Sequence, residues 1–260
     1  MEKTTLHTGY AVQEGDGPFV QPQRATGADQ PLRGPVIAIS PHYDDAVFSC
    51  GQLLAEYPGS TVVTVFTDIP EHDLALTSWD EQCGFTSARQ AMHARAIENK
   101  AALAMLKAQD IDLHFLDDQY PDATQNGANL LSDTLASTIS SEKAASVIFP
   151  LGLFHRDHIR VSDAIFDLLP QFPSISWIAY EDIPYRSQVL RCRERLRALS
   201  RTCVLTPFRP ALPRWRTAEH KQRAVIAYGS QLQGLGYDGA DPIMAHTETY
   251  WRVHCEMALM

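Results

Sequence analysis

No stretch of this chain approaches the about 18–20 consecutive apolar residues that a membrane-spanning helix needs, so no span is expected. Cysteine is sparse: Cys50, Cys83, Cys192, Cys203 and Cys255 are odd in number, scattered, and form no C-x-x-C pair. That excludes a thiolate zinc finger and a disulfide-dense secreted scaffold, and free thiols fit a reducing compartment. The N-terminus, Met1-Glu2-Lys3-Thr4-Thr5, opens no apolar run and so shows no secretory signal. A cytoplasmic protein is the expectation. Basic residues are in deficit, 22 Lys and Arg against 31 Asp and Glu, for a formal charge of −9. A general nucleic-acid binder carries the opposite balance. There is no internal repeat and no low-complexity tract.

What is present is ordinary globular material. The 260 residues are 45% hydrophobic and 20% charged, which excludes collagen-like, disordered and coiled-coil classes. A chain of this size buries enough surface to fold without covalent cross-links. The charge is unevenly spread: residues 186–223 hold eleven Lys and Arg but only Glu194 and Glu219 as acids. That stretch reads either as a solvated Arg-rich helix or as a face for an anionic substrate.

Residues 1–34 are polar and read as an N-terminal extension; 35–260 read as one domain, without a visible linker. Strands are expected at Val36–Ile39, Ser60–Ile69, Ile111–Leu116, Ala145–Pro150, Ser174–Tyr180, Val204–Pro207 and Thr249–Cys255, from short β-branched or continuous apolar runs. Helical spacing follows Asp45 and fills Thr86–Ala108, Ala128–Ser141, His158–Leu169, Val189–Leu199 and Ala218–Tyr228. Residues 70–85, holding Trp79, read as a loop. Trp79 either lines a sugar site or anchors that loop. Strands alternating with helices predict an α/β fold with a mostly parallel sheet.

Two clusters carry chemistry, and each follows an expected strand. His42-x-Asp44-Asp45 follows the first and His155-x-Asp157-His158 the fourth. Ligands bind at the carboxyl ends of strands in such sheets. A catalytic zinc takes three N or O ligands and keeps one position open. His42, Asp45 and one of His155 or His158 supply that set, and the donors suit Zn²⁺, with Fe²⁺ or Mn²⁺ as alternatives. Asp44, one residue from a ligand, is placed to act as base toward water. The plainer reading is that Asp44, Asp45 and Asp157 cap helices; two clusters at matching strand ends weigh against it.

Pro41-His42-Tyr43-Asp44-Asp45 resembles the P-H-x-D-D signature of the LmbE-like/PIG-L deacetylase superfamily, and His155–His158 resembles its H-x-D-H motif. Arg95-Ala96-Ile97-Glu98, Tyr180-Glu181-Asp182-Ile183-Pro184-Tyr185 and Lys221 through Tyr228-Gly229-Ser230-Gln231 resemble further segments of the family, in the same order. The resemblance implies a Rossmann-like three-layer sandwich with the metal site at the carboxyl ends of the strands. It implies a zinc-dependent hydrolase that removes an N-acetyl group from an N-acetylglucosamine unit. Carried over by position, His42, Asp45 and His158 hold the metal and Asp44 is the general base. His155 steadies the oxyanion or acts as acid, and Asp157 tunes a histidine. Arg95, Tyr43, Glu181 and Lys221 are candidate substrate contacts. Ala46 stands where many members carry Glu, and Leu153 where some carry a tyrosine.

The expected partner is a small-molecule or glycoconjugate substrate, with an anionic group as one option; homo-oligomerisation is left open. Two other readings stand beside this one. One is a hydrolase of a non-sugar amide or other bond in small-molecule biosynthesis. The other is a non-catalytic binding protein on the same fold.

Overall fold

A computed structural model describes residues 31–71, 76–120, 128–185, 189–212 and 214–255. The N-terminal extension therefore lies almost wholly outside the described residues, as do His72 and Arg186. The strands are β1 (Val36–Ser40), β2 (Thr61–Phe66), β3 (Gln109–Phe115), β4 (Ser146–Pro150), β5 (Ser176–Tyr180), β6 (Val204–Phe208) and β7 (Tyr250–His254). The helices are α1 (Asp45–Glu56), α2 (Ser78–Gln82), α3 (Ala88–Leu106), α4 (Ala128–Ser141), α5 (Arg156–Leu168), α6 (Val189–Leu199), α7 (Arg214–Ile226), α8 (Gly229–Gly234) and α9 (Asp241–Met244).

The strands form one sheet in the order β3-β2-β1-β4-β5-β7-β6. Pairing is parallel from β3 through to β5. β7 is the exception, lying antiparallel to both β5 and β6. Alternation along each strand divides the core. In β1, Val36 and Ala38 face the layer holding Leu53, Leu54, Leu103 and Tyr228 from α1, α3 and the α7–α8 junction. Ile37 and Ile39 face Leu135, Ile139, Val161 and Ile165 from α4 and α5. Both faces of β1 are buried, which is why it reads as a continuous apolar run. Each such side chain contributes about 1.5–3 kcal/mol on burial. This is the expected three-layer sandwich.

Local chemistry sets the helix starts. The Ser87 hydroxyl accepts from the Gln90 N–H at 3.2 Å, and the Thr77 hydroxyl from the Asp80 N–H at 3.0 Å. The second of these gives a short helix, α2, inside the stretch that reads as loop. A further correction concerns the last helical stretch: α7 starts earlier, at Arg214, and the chain breaks at Ala227–Tyr228 before α8. The cysteine reading is corrected too, since Cys203 and Cys255 form a disulfide with 4.2 Å between their Cα atoms. The β6–β7 ladder pairs Val204 with His254, so the next residue outward on each strand is a cysteine. Cys50, Cys83 and Cys192 are in the thiol form. Among the described residues no helix is long and apolar enough to cross a membrane.

Candidate metal centre and active site

β1 and β4 are hydrogen-bonded neighbours, and the chain order reverses between them. That reversal opens a crevice at the carboxyl ends of the strands. It also explains how two motifs some 110 positions apart meet. His42 follows β1, His155 follows β4, and their ring centroids lie 5.1 Å apart. His42 and His158 are 5.4 Å apart by the same measure.

Asp45 sits between the histidines. Its Oδ2 accepts from the His42 backbone N–H at 2.8 Å, and lies 3.2 Å from His42 Nδ1 and 3.1 Å from His158 Nε2. Ligand atoms around a tetrahedral zinc stand about 3.3 Å apart, given bonds near 2.0–2.1 Å. The His158 ring is wholly buried. Its Nδ1 is 2.7 Å from Asp182 Oδ1, whereas its buried Nε2 makes no hydrogen bond. An orphaned imidazole nitrogen facing a carboxylate, with a second carboxylate behind the ring, is the arrangement of a metal-ligating histidine.

His42 is gripped from its other side. Its Nε2 lies 3.2 Å from Asp157 Oδ2 and 3.6 Å from Asp117 Oδ2. Asp157 is fixed by the Asp118 N–H at 3.1 Å and by Arg160 at 2.9 Å. The histidine that Asp157 touches is thus His42. Among the described residues, two triplets offer ligand atoms within 4.8 Å of one another: His42, His155 and His158, and His42, Asp117 and Asp157. Imidazole and carboxylate donors without thiolate fit a divalent ion of the Zn²⁺, Fe²⁺ or Mn²⁺ type.

The electrostatics agree. Burial pushes His158 down, but Asp45 and Asp182 more than offset it and hold it up at about 10. Burial likewise lowers His42, yet Asp117, Asp157 and Asp45 keep it well above its ordinary range. Burial opposes ionisation of Asp45, and His158 and His42 nevertheless hold it far below the usual carboxylate range. This concentration of carboxylate calls for positive charge, which protons or a divalent ion can supply.

Asp44 occupies the position before α1 but its side chain makes no capping bond. Its carboxylate is free for other work, and burial together with the neighbouring Asp45 charge raises it to about 7. Asp157 does not cap α5 either. His155 does so: its Nδ1 accepts from the Asp157 N–H at 3.3 Å. With Nδ1 an acceptor, Nε2 carries the proton of the neutral ring. Burial and the neighbouring His42 and His158 lower His155 to about 4, which keeps it neutral.

A cavity of about 310 Å³ opens over this cluster, lined by His42, Asp44, Asp45 and His155 with Trp79, Arg95 and Tyr185 among its walls. Arg95, a candidate substrate contact, stands in the cavity wall. It is buried, pairs with Asp80 at 2.6 Å, and leaves its Nε without a hydrogen bond. Trp79 lines the cavity and packs close to Gly234.

The other three candidate substrate contacts bond to partners within the protein. The Tyr43 ring reaches the cavity, but its hydroxyl donates to Asp112 Oδ2 at 3.2 Å. Glu181 is buried and accepts from Trp251 Nε1 at 3.0 Å. Lys221 is buried, pairs with Glu248 at 2.8 Å, and lies against Gly51, where a Cβ would come within 2.9 Å of its Cγ. It locks α7 onto α1. Leu153 is 1% exposed and belongs to the core. Asp182, which the sequence offers beside Glu181 as a carboxylate following β5, is the one of that pair that reaches the cluster. Two further residues of the site, Asp117 and Tyr185, are assigned no role from the sequence, where each stands in the loop after a strand.

The profile of the PIG-L family, GlcNAc-PI de-N-acetylase, matches residues 37–169, just over half of the chain. The 2'-N-acetylparomamine deacetylase of Streptomyces fradiae is 26% identical over 212 residues, covering 76% of this chain and 74% of that enzyme. Among solved structures, the A40926 pseudoaglycone deacetylase superposes with a TM-score of 0.70 at 24% identity, covering 86% of this chain and 98% of that one. The zinc-inhibited form of teicoplanin deacetylase gives 0.67 at 21% identity, over 86% and 99%. These two structures share the fold.

Proposed function

This chain belongs to the PIG-L family of GlcNAc-PI de-N-acetylases, and from that membership and the geometry of the site we propose that it is a metal-dependent N-deacetylase of an amino sugar or glycoconjugate. The observation that carries the reading is the orphaned Nε2 of His158, 3.1 Å from Asp45 with Asp182 behind the ring. Asp45 and His42 beside it complete a three-donor set of the kind a divalent ion takes. The Streptomyces fradiae relative, named as a deacetylase of an N-acetylated amino sugar, supports the substrate class.

His42, Asp45 and His158 would hold the ion, with zinc the preferred species. When bound, the ion supplies a Lewis acid for the amide carbonyl and the attacking water. The remaining steps fall to the chain. Asp44, raised to about 7 beside the cavity, takes the proton from the attacking water. His155 Nε2–H donates to the oxyanion that develops on the acyl carbon. The departing amine needs a proton, and the one Asp44 has taken is at hand. Asp157 keeps His42 in place, and the Trp79 and Tyr185 rings exclude water from one side of the cavity.

The test is acetate release from N-acetylglucosaminides by the zinc-loaded protein. Turnover that depends on the ion is expected. Metal bound without acetate release from any N-acetylated amino sugar would overturn the reading.

A further inference from the structure

The loop that delivers His155 contains two left-handed residues, Gly152 at φ +83° and Phe154 at φ +65°. Glycine adopts that conformation freely, whereas a bulky aromatic residue does so under strain. The twist sends Leu153 into the core at 1% exposure and leaves Phe154 outside at 46%. Were the turn alone required, Gly or Asn at 154 would make it without strain.

Phe154 is not loose. The Arg191 guanidinium stands 4.8 Å from its ring centroid. Tyr185 lies 5.4 Å away, tilted by 36°. Tyr185 in turn stacks along His155 at 6.3 Å and lines the cavity. The helix that supplies Arg191 is pinned to the same loop: Arg195 Nε donates to the Leu151 carbonyl at 3.0 Å, and its terminal nitrogen to Ser162 Oγ at 2.9 Å. A rigid aromatic step therefore leads from the catalytic histidine to solvent. The first turn of α6 adds exposed Val189 and Leu190.

We propose that Phe154, Tyr185 and Arg191 form a subsite for an aromatic group that the substrate carries beyond its amino sugar. This rests on the deacetylase reading above and names its substrate class: an N-acylated amino sugar in glycosidic linkage to an aromatic aglycone. The reasons are physical. An aryl ring laid against Phe154 buries apolar surface that is otherwise wet. It gains offset or edge-to-face contact with two rings, and the guanidinium over the Phe154 ring favours an electron-rich ring beside it. Strain held at a functional loop is the expected companion of such a contact.

The experiment compares binding of 4-methoxyphenyl N-acetyl-β-glucosaminide and N-acetylglucosamine by calorimetry, with zinc-loaded protein. Asp44→Asn serves as background so that neither ligand is consumed. The aryl glycoside is expected to bind at least tenfold tighter than the free sugar. Phe154→Asn, which suits a left-handed backbone, should shrink that ratio to threefold or less while leaving the free sugar's affinity unchanged. Equal affinities, undetectable binding of both, or a ratio that survives Phe154→Asn would each overturn the subsite. Failure of the deacetylase reading would show separately, as no acetate from either sugar with the unsubstituted protein.

Discussion

Asp182 Oδ1 lies 2.7 Å from His158 Nδ1, and the other oxygen of the same carboxylate accepts the N–H groups of Gly152 and Leu153 at 3.1 and 2.9 Å. One side chain thus holds both the ring of His158, the proposed metal ligand, and the loop that carries His155. Replacing Asp182 by Asn keeps the shape but weakens the grip on the ring. Metal affinity should fall by about 10–100-fold, with the fold retained, as measured by competition with a chelator. Unchanged affinity would mean that Asp182 serves the loop alone.

Asp44→Asn should leave metal content at one ion per chain and lower kcat by about 10²–10⁴-fold. KM should move little, because the side chain is assigned to the water rather than to the sugar. Elemental analysis beside steady-state kinetics reads both quantities. Near-normal turnover would remove Asp44 as the base.

Chelation should cost stability as well as activity. The carboxylates of Asp45, Asp117, Asp157 and Asp182 crowd around two histidines, so a bound dication relieves repulsion in the folded state only. At a hundredfold excess over its Kd, the ion adds about 2.7 kcal/mol, or roughly 5–10 °C in Tm for a domain of this size. His158→Ala should abolish that metal-dependent shift. A Tm indifferent to chelator in the unsubstituted protein would argue against the site.

Glu248→Ala should destabilise without touching specificity. It would strand the buried Lys221 ammonium, whose partner stands at 2.8 Å. Breaking such a pair costs about 3–5 kcal/mol, so a thermal melt should show a large loss. The protein that remains folded should keep its KM within about twofold. A selective rise in KM would return Lys221 to the substrate site, from which its packing against Gly51 removes it.

The fold and most of the site were legible in the residues. β1 and β4 read as strands because both faces are buried, and the motifs behind them needed no tertiary knowledge to be seen. The ends of α7 were less legible. The break before α8 depends on the Tyr228 hydroxyl reaching the Tyr43 carbonyl at 2.9 Å and Asn99 at 2.8 Å, contacts spanning more than a hundred residues. The disulfide escaped notice because Cys203 and Cys255, 52 positions apart, become neighbours only through an antiparallel edge ladder.

Glu181 and Asp182 show where the boundary lies. The sequence by itself determined that two adjacent carboxylates leave the sheet at the end of β5, on the edge that holds the two histidine motifs. Side chains alternate along an extended chain, so one of the pair had to face the cluster and the other had to face away. Which was which depends on the pairing of β5 with β4 and β7. That register sets Asp182 against His158 and Glu181 against Trp251. Residue types and spacing supplied the chemistry, while long-range pairing, invisible in a single chain's sequence, chose the atoms that perform it.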